Sequence, residues 1–468
     1  MKRFWLVMLS LGLVMAFSSS VFAADVKFTG SFYAAGMYQD RTSLVEDSYI
    51  HPASEGPSTA FYYQRLRVNM DFIATPALQL KTRFDAMERV WGKVRTVTGA
   101  GGGLDLASSG TREENENIAF DYAYIWYANR TTGIWSVGIM EDGAWGTKFG
   151  DNSNPEGKIT WTMVKMPFIV GLQIVKLNEF SDNAINASPY VDRDVDKYQG
   201  FVIYNWKGGQ AGVLGYYVRN AAMRPDFGLG STAWLAGLAT KTDLYGLVPY
   251  AKAKIGPVAV EAEFHYQGGK GAVEGGQLPF NFLGVWLIPQ DIKYKSMSAY
   301  LDALADFGMF YAGLTGAYVS GPDLNDANKV RDNIDGGRDW NPLLILWNFD
   351  RDYWAGGLNG WDGTGFGNAM TNARFIALRG GVRPIKDLDI GIIAAYARAD
   401  KVAVNQSKKY GWEVDVTATY SITNNLSYML GVGYLKTGDY FKGVVGPGDI
   451  APAVSDNFLV INKLTLTF

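Results

Sequence analysis

One pattern runs through the sequence from residue 26 to the last residue: apolar and polar side chains alternate with a period of two. Side chains that alternate in this way point to opposite faces of a β-strand. The clearest alternating segments are 26–38, 66–72, 78–84, 118–126, 258–266, 412–420 and 457–468. The chain is therefore expected to consist mainly of strands that have one apolar and one polar face.

The connections between these segments are of two kinds, and the two kinds take turns along the chain. Short connections are predicted at 75–77, 129–132, 207–210, 254–257, 306–308, 385–387 and 423–425. Long connections are predicted near 40–60, 92–113, 142–158, 178–196, 220–241, 268–291, 320–372, 400–409 and 438–455. Short periplasmic turns and long extracellular loops are typical of outer-membrane proteins. The sequence therefore predicts an all-β fold, a transmembrane antiparallel β-barrel.

The predicted number of strands is 18, with 16 as the alternative. Two segments are ambiguous: 158–178 contains Pro167, and 232–254 includes a stretch, 233–240, that also fits a short helix. The last segment ends on Phe468, which shares one strand face with Leu464 and Leu466. This strand is expected to pair with the first strand, near residues 26–38, so that no open sheet edge faces lipid.

Composition agrees with a barrel that has lipid on one side and water on the other. Aromatic residues make up 14% of the chain and glycines number 55, while mean hydropathy is near zero. Residues 1–23 form a predicted signal peptide, with Lys2 and Arg3 before an apolar run, which leaves 24–468 as one barrel domain. Without those two residues the basic residues fall from 43 to 41, against 46 acidic ones, and this balance argues against nucleic acid as a partner.

Basic residues on the polar strand faces are assigned to the barrel interior. An arginine or lysine that faces lipid at the bilayer midplane of a barrel costs about 2–4 kcal/mol, so several on neighbouring strands must face water. The predicted basic wall consists of Arg65, Arg67, Lys81 and Arg83, and Arg89 would continue this face at its outer end. The predicted acidic residues of the lumen are Asp71, Asp85, Glu261, Glu263, Glu413 and Asp415.

Opposed basic and acidic walls would create a transverse field that orients polar solutes. Simple ion pairing that stabilises the barrel is the alternative interpretation of these charges. Because acids face the basic wall, we expect a mild anion preference or none.

Taken together, the signal peptide, the alternation up to Phe468 and the sorted connections resemble the outer-membrane general porins, especially the homotrimeric porins of sulfate-reducing and related Gram-negative bacteria. The resemblance implies a trimer of water-filled barrels in the outer membrane, in contact with its lipid and lipopolysaccharide. It also implies passive diffusion of small hydrophilic solutes and ions, and a terminal aromatic residue, Phe468, that the barrel-assembly machinery reads.

In general porins the loop after the fifth strand folds inward and narrows the pore. By position, the resemblance assigns this constriction to a loop that contains Glu141, Asp142, Trp145, Lys148 and Asp151. The much longer loop 320–372 is the alternative, because a loop of that length is expected to fold over or into the barrel mouth.

The leading functional hypothesis is a passive diffusion channel, and the alternative is a substrate-specific channel of the same fold for sugars or oxyanions. No catalytic constellation is recognisable, so an enzyme is not expected. The chain has two histidines and no cysteine, and Asp192, Asp194 and Asp196 begin a calcium-loop pattern that lacks its glycine and its closing glutamate. No metal or cofactor is therefore predicted.

Overall fold

The computed structural model of the chain describes residues 25–45, 58–92, 118–180, 192–224, 241–272, 280–282, 285–287, 291–361, 364–366, 369–449 and 453–468. The predicted signal peptide and the possible helix at 233–240 lie outside the described residues. Within them, the dominant structure is one large antiparallel sheet that closes on itself.

Eighteen long strands form this sheet, which confirms the predicted number. They are β1 (Asp25–Gln39), β2 (Thr59–Thr75), β3 (Leu78–Val90), β4 (Ala119–Asn129), β5 (Gly133–Asp142), β6 (Asn154–Lys165), β7 (Phe168–Asn178), β8 (Val195–Trp206), β9 (Gly209–Asn220), β10 (Lys241–Ile255), β11 (Val258–Ala272), β12 (Ile292–Asp306), β13 (Phe310–Val319), β14 (Ala373–Ile385), β15 (Leu388–Ala399), β16 (Lys409–Ser421), β17 (Leu426–Thr437) and β18 (Asn457–Thr467). Each strand pairs with the next along the chain, and β18 pairs with β1 from Ser31 opposite Thr467 to Gln39 opposite Leu459. The sheet is therefore a closed barrel.

Strand alternation sorts the residues of the barrel between its two faces. Apolar side chains such as Phe28 on β1, Leu172 on β7 and Leu378 on β14 are exposed on the outer surface. Residues of the opposite parity, such as Arg65 and Arg67 on β2, point inward. The period of two that is visible in the sequence thus corresponds to an apolar outside and a polar inside.

Connection lengths differ between the two ends of the barrel. At one end, the strands are joined by turns of two to four residues, and Gly208 and Gly256 adopt the positive φ values of 94° and 60° that such turns favour. The ambiguous residue Pro167 lies in one of these turns, between β6 and β7. At the other end, the described long connections are 143–153, 320–372, 400–408 and parts of the remaining loops.

The connection 320–372 enters the barrel. It contains a short α-helix, Phe349–Ala355, and three two-residue strands, Lys329–Val330, Leu358–Asn359 and Gly365–Phe366. Two three-residue strands, Phe280–Phe282 and Val285–Leu287, form a separate hairpin, and Asp439–Lys442 is a 3₁₀-helix. Among the described residues, no helix has the length and apolar character needed to cross a bilayer.

Candidate functional site

The connection between β5 and β6, residues 143–153, crosses the interior and contacts the opposite wall. The indole Nε1 of Trp145 donates a hydrogen bond to the carbonyl oxygen of Val248 on β10, at 2.9 Å. The backbone amide of Thr147 donates to Oε2 of Glu263 on β11, at 2.6 Å. Gly146 lies between them with φ 65°, and a Cβ atom there would come within 2.5 Å of the Glu263 carboxylate. Glycine therefore permits the close approach of this inserted loop to the wall.

Asp151 holds the inserted loop 143–153 in its conformation. One carboxylate oxygen of Asp151 accepts a hydrogen bond from the amide of Trp145 at 2.7 Å, and its carbonyl oxygen accepts one from the amide of Asp339 at 3.1 Å. Burial, followed by the charges of Glu263 and Asp339, raises the pKa of Asp151 to about 8. The side chain is therefore mostly a neutral carboxylic acid at neutral pH.

The long connection 320–372 is fastened to β16 by two buried carboxylates. Glu413 accepts hydrogen bonds from the amides of Ile345 and Leu346, at 2.6 and 2.8 Å. Asp415 accepts one from the amide of Leu344 at 3.0 Å. Glu413 is fully buried. These two acids therefore act as anchors for the backbone of the loop.

An apolar cluster fixes the same segment of the long connection. Ile345, Leu346 and Trp347 are almost fully buried, and the Trp347 ring packs edge-on against the rings of Phe375 and Tyr410 on the wall. The guanidinium of Arg351 donates hydrogen bonds to the carbonyl oxygens of Ile345 and Gly356. Its burial lowers its pKa to about 10. Apolar packing and buried polar contacts together hold this segment inside the barrel.

The two inserted segments contact each other. The amide of Gly150 donates to the carbonyl oxygen of Gly336 at 2.8 Å, and the amide of Arg338 donates to the side chain of Asn152 at 3.2 Å. The ring of Phe149 stacks on Tyr300 of β12 and meets the ring of Trp340 edge-on, both at 5.1 Å between centroids. Loop 143–153 and loop 320–372 therefore form one joined partition across the interior.

A cavity of about 810 Å³ lies on one side of this partition, against β2, β3 and β4. Its lining contains seven basic and seven acidic side chains. They are Arg65, Arg67, Arg83, Lys148, Arg338, Arg351 and Lys463, and Asp85, Glu88, Asp121, Glu141, Asp151, Asp339 and Asp350. The formal charges of this larger cavity balance when all of these groups are ionised.

Ion pairs run along the wall of the larger cavity. Arg67 makes a two-point contact with Asp85, at 2.7 and 2.6 Å. Arg83 pairs with Asp121 at 2.8 Å and lies 3.7 Å from the centre of the Tyr122 ring. Paired charges of this kind stabilise the wall and still present polar groups to the cavity.

A second cavity, of about 420 Å³, lies on the other side of loop 143–153, against β6 to β11. Both cavities are lined by Ala144, Asp151 and Asn152, so this loop is the wall between them. The polar and aromatic side chains that line the smaller cavity are five amides, three aspartates, two lysines, His265, Tyr216 and Trp145. Its chemistry thus differs from that of the larger cavity.

The structure brings together most of the predicted basic and loop residues. Arg65, Arg67, Arg83 and Asp85 line the larger cavity, as do Glu141, Lys148 and Asp151 of the predicted constriction loop. Asp142 and Trp145 line the smaller cavity. Lys81 and Asp71 form an ion pair of 2.9 Å with each other and line neither cavity.

The predicted basic wall is corrected at Arg89, which lines neither of the two cavities. A β-bulge at Met87, where φ is 53°, inserts one residue into β3 opposite Gln64 and Leu66 of β2. The alternation therefore changes phase, and Glu88, instead of Arg89, points into the larger cavity and lies 3.6 Å from Arg65.

Three of the predicted acidic lumen residues lie on the predicted strand face but do not face open space. Glu263, Glu413 and Asp415 are on inward-facing positions but are buried beneath the inserted loops. Glu261 lies 3.8 Å from Lys252 and lines neither cavity. These acids therefore do not form an open acidic wall opposite the arginines.

Several residues that line the cavities are absent from the sequence-based set. Loop 320–372 and β18 contribute several of them, including Asn333, Arg338, Asp339, Asp350 and Lys463. Periodicity reveals the face of a strand residue, and this signal is present for Lys463 beside Leu464. Sequence periodicity carries no information about where an irregular loop docks.

Comparison with solved structures identifies similar folds. The chain is similar to OccK8 (OprE) from Pseudomonas aeruginosa, with a TM-score of 0.50 and 12% identity over 95% of this chain and 98% of that one. It is also similar to the anion-selective porin from Comamonas acidovorans, with a TM-score of 0.42 and 12% identity over 95% and 100% of the two chains. A third similar structure is the outer membrane channel DcaP of Acinetobacter baumannii, with a TM-score of 0.41 and 9% identity over 96% and 99%.

At these identities the likeness to OccK8 establishes the barrel fold alone. No protein-family model matches the chain, and neither does any curated protein sequence.

Proposed function

We propose that this chain is an outer-membrane porin, a channel through which small hydrophilic solutes and ions diffuse passively. The observation that carries the proposal is the larger cavity, which lies inside a closed barrel with an apolar outer surface and is lined by seven basic and seven acidic side chains. So many charged groups require water around them. An apolar exterior around a polar interior is the arrangement of a channel in a bilayer.

The cavity charges support weak selectivity between ions. Seven basic and seven acidic side chains line the larger cavity, and Asp151 is mostly neutral near neutral pH because of its raised pKa. A small excess of positive charge therefore remains in the larger cavity, and this excess favours a mild preference for anions. The basic wall residues Arg65, Arg67 and Arg83 contribute three of these positive charges.

A substrate-specific channel of the same fold is the second candidate. The observation that favours it is the partition formed by loop 143–153 and loop 320–372, on either side of which lie two cavities of different chemistry. A solute that passes such a partition contacts more protein groups than one in an open pore.

The proposed channel implies a cellular location and a set of partners. The signal peptide at 1–23 would export the chain, the apolar surface would contact outer-membrane lipid and lipopolysaccharide, and Phe468 would be read by the barrel-assembly machinery. A homotrimer of general-porin type is part of the proposal and is supported by the sequence resemblance.

Single-channel recording in planar lipid bilayers tests the channel. The purified, folded chain is expected to produce stepwise ion currents in potassium chloride, whereas the same detergent without protein produces none. Folded barrels that insert into the bilayer but carry no current would contradict the proposal.

A further inference from the structure

We propose that the smaller cavity is a binding subsite for a small neutral polyhydroxylated solute of about the size of a hexose. This inference rests on the proposed channel function and adds a solute class to it. The cavity volume, about 420 Å³, lies within the range of about 300–1,000 Å³ that is usual for small-molecule sites.

Five neutral amide side chains line the cavity, and hydrogen bonds hold at least four of them in place. Gln199 donates to Oδ1 of Asp142 at 2.9 Å and to Oε1 of Gln173 at 3.1 Å. Gln267 donates to the hydroxyl oxygen of Tyr216 at 2.9 Å and accepts from Asn333 at 2.5 Å. These bonds connect strands β5, β7, β8, β9 and β11 with loop 320–372. The amides are therefore oriented before any solute enters.

Unused donors and acceptors remain on the same side chains. Within the described parts of the chain, no hydrogen bond is made by the amide nitrogen of Gln173, by the carbonyl oxygen of Gln199 or by the hydroxyl proton of Tyr216. All three residues line the cavity. A solute with several hydroxyl groups matches this set, because a hydroxyl both donates and accepts hydrogen bonds.

The charged groups of the cavity largely satisfy each other. Asp142 is 4% exposed and forms ion pairs with Lys158, at 2.9 Å, and with Lys197. Asp335 also lines the cavity, and Asp151 is mostly protonated near neutral pH, so the lining contains two lysines and two ionised aspartates. Apart from His265, the formal charges of these lining side chains therefore sum to zero, whereas the larger cavity keeps a small excess of positive charge.

The ring of Trp145 supplies an apolar surface at the edge of the cavity. It packs against the rings of Phe201 and Tyr250, at 5.3 and 5.2 Å between centroids, and its N–H group is bonded to Val248. The ring is thus fixed by three contacts. Fixed amides beside a fixed aromatic ring suit a solute that has hydroxyl groups and C–H surfaces.

The test measures ion current through single channels of the full chain while D-glucose is added to one side of a planar bilayer. The current is expected to fall with glucose concentration and to saturate. In the variant Gln199→Leu/Gln267→Leu, the half-saturating concentration should rise about tenfold or more, since two hydrogen-bonding groups are lost. The matched control is Gln79→Leu, on the inner face of β3 and outside both cavities, which should leave the half-saturating concentration unchanged.

The outcomes separate this inference from the channel function. A current that falls only in proportion to solution viscosity, without saturation, would overturn the subsite while leaving the channel intact. Equal block by gluconate, a charged molecule of similar size, would overturn the preference for neutral solutes. Absence of current from inserted barrels would overturn both proposals. If the double variant does not fold, the saturation curve of the unmodified chain still tests whether the channel contains a saturable glucose site.

Discussion

Single carboxylates on the inner wall determine where the loops of this protein lie. Glu263 binds the amide of Thr147, and Glu413 and Asp415 bind three consecutive amides of residues 344–346. A buried amide without an acceptor costs about 1–3 kcal/mol, so each anchor contributes to the position of its loop. Replacing one of these residues should therefore change the shape of the interior more than its charge.

The change Glu413→Ala should release loop 320–372 from the wall. It removes the acceptors of the Ile345 and Leu346 amides, at a cost of about 1–3 kcal/mol for each amide left unpaired. We expect larger and noisier single-channel currents, together with faster protease cleavage within 343–347. The matched control is Glu261→Ala, because Glu261 is an inward-facing carboxylate whose nearest basic partner is 3.8 Å away. Equal effects of the two variants would contradict the anchoring role.

Asp151 should make ion selectivity depend on pH. Its pKa of about 8, raised by burial, means that it gains a negative charge between about pH 7 and pH 9, on a side chain that lines both cavities. Reversal potentials in a salt gradient should therefore shift toward cations over this range. The same shift in Asp151→Asn would contradict the assignment.

The raised pKa of Asp151 also affects stability. The folded protein retains a proton that the unfolded chain loses near its ordinary pKa of 3.8. The contribution of this group to stability therefore falls as pH rises from about 4 to about 8, and does not change further above that range.

At the scale of the elements, the strand pair β2–β3 provides the most concentrated group of charges in the larger cavity. Arg65, Arg67 and Arg83 alternate along these strands and are each matched by an acid on β3 or β4. The pairing keeps the charges in place, and its loss would leave the acids without basic partners on this wall. The basic wall is therefore where selectivity is best tested.

The triple change of Arg65, Arg67 and Arg83 to alanine should make the channel prefer cations. It removes three of the seven basic side chains of the larger cavity and leaves Asp85, Glu88 and Asp121 uncompensated. Reversal potentials should shift by more than in Lys81→Ala, which removes a basic residue from the inner face of β3 outside the cavity. Unchanged selectivity in the triple variant would show that these pairs only stabilise the wall.

Elements differ in how far the sequence predicts them. Alternation gave the strands, their inward faces and the number 18, because every strand separates apolar lipid-facing side chains from polar ones. The bulge at Met87 was missed, since an inserted residue changes the phase without changing composition. The docking of loop 320–372 was also missed in detail, because its acceptors on β16 lie after it in the chain and no local pattern links them.

For the whole molecule, closure depends on the pairing of β18 with β1. Gly30 and Phe468 exchange two backbone hydrogen bonds, at 2.8 and 3.0 Å, and the Phe468 ring covers the position where a Gly30 side chain would be. Closure of this kind pairs most of β18 with β1, so the sheet does not end in two free strands in the membrane. The contacts of Phe468 therefore contribute to the completion of the barrel.

Deletion of Phe468 should reduce assembly without altering the channels that do form. It removes both backbone bonds to Gly30 and the ring contact. The yield of folded barrel, measured as the heat-sensitive band in gel electrophoresis, should fall, while unit conductance stays the same. Phe28→Ala is the control, because it removes an exposed aromatic side chain of β1 but no backbone pairing. A normal yield would argue against the proposed role of Phe468 in assembly.

Because β18 lies beside β1, the order of strands around the barrel is a ring that has no preferred starting point. A chain that was opened within the connection 400–408 and joined by a short linker from Phe468 to Asp25 would retain every pair of neighbouring strands. Such circular permutants succeed when the new ends lie in exposed loops. The covalent order of the chain and the architecture of the barrel are, in this sense, separable.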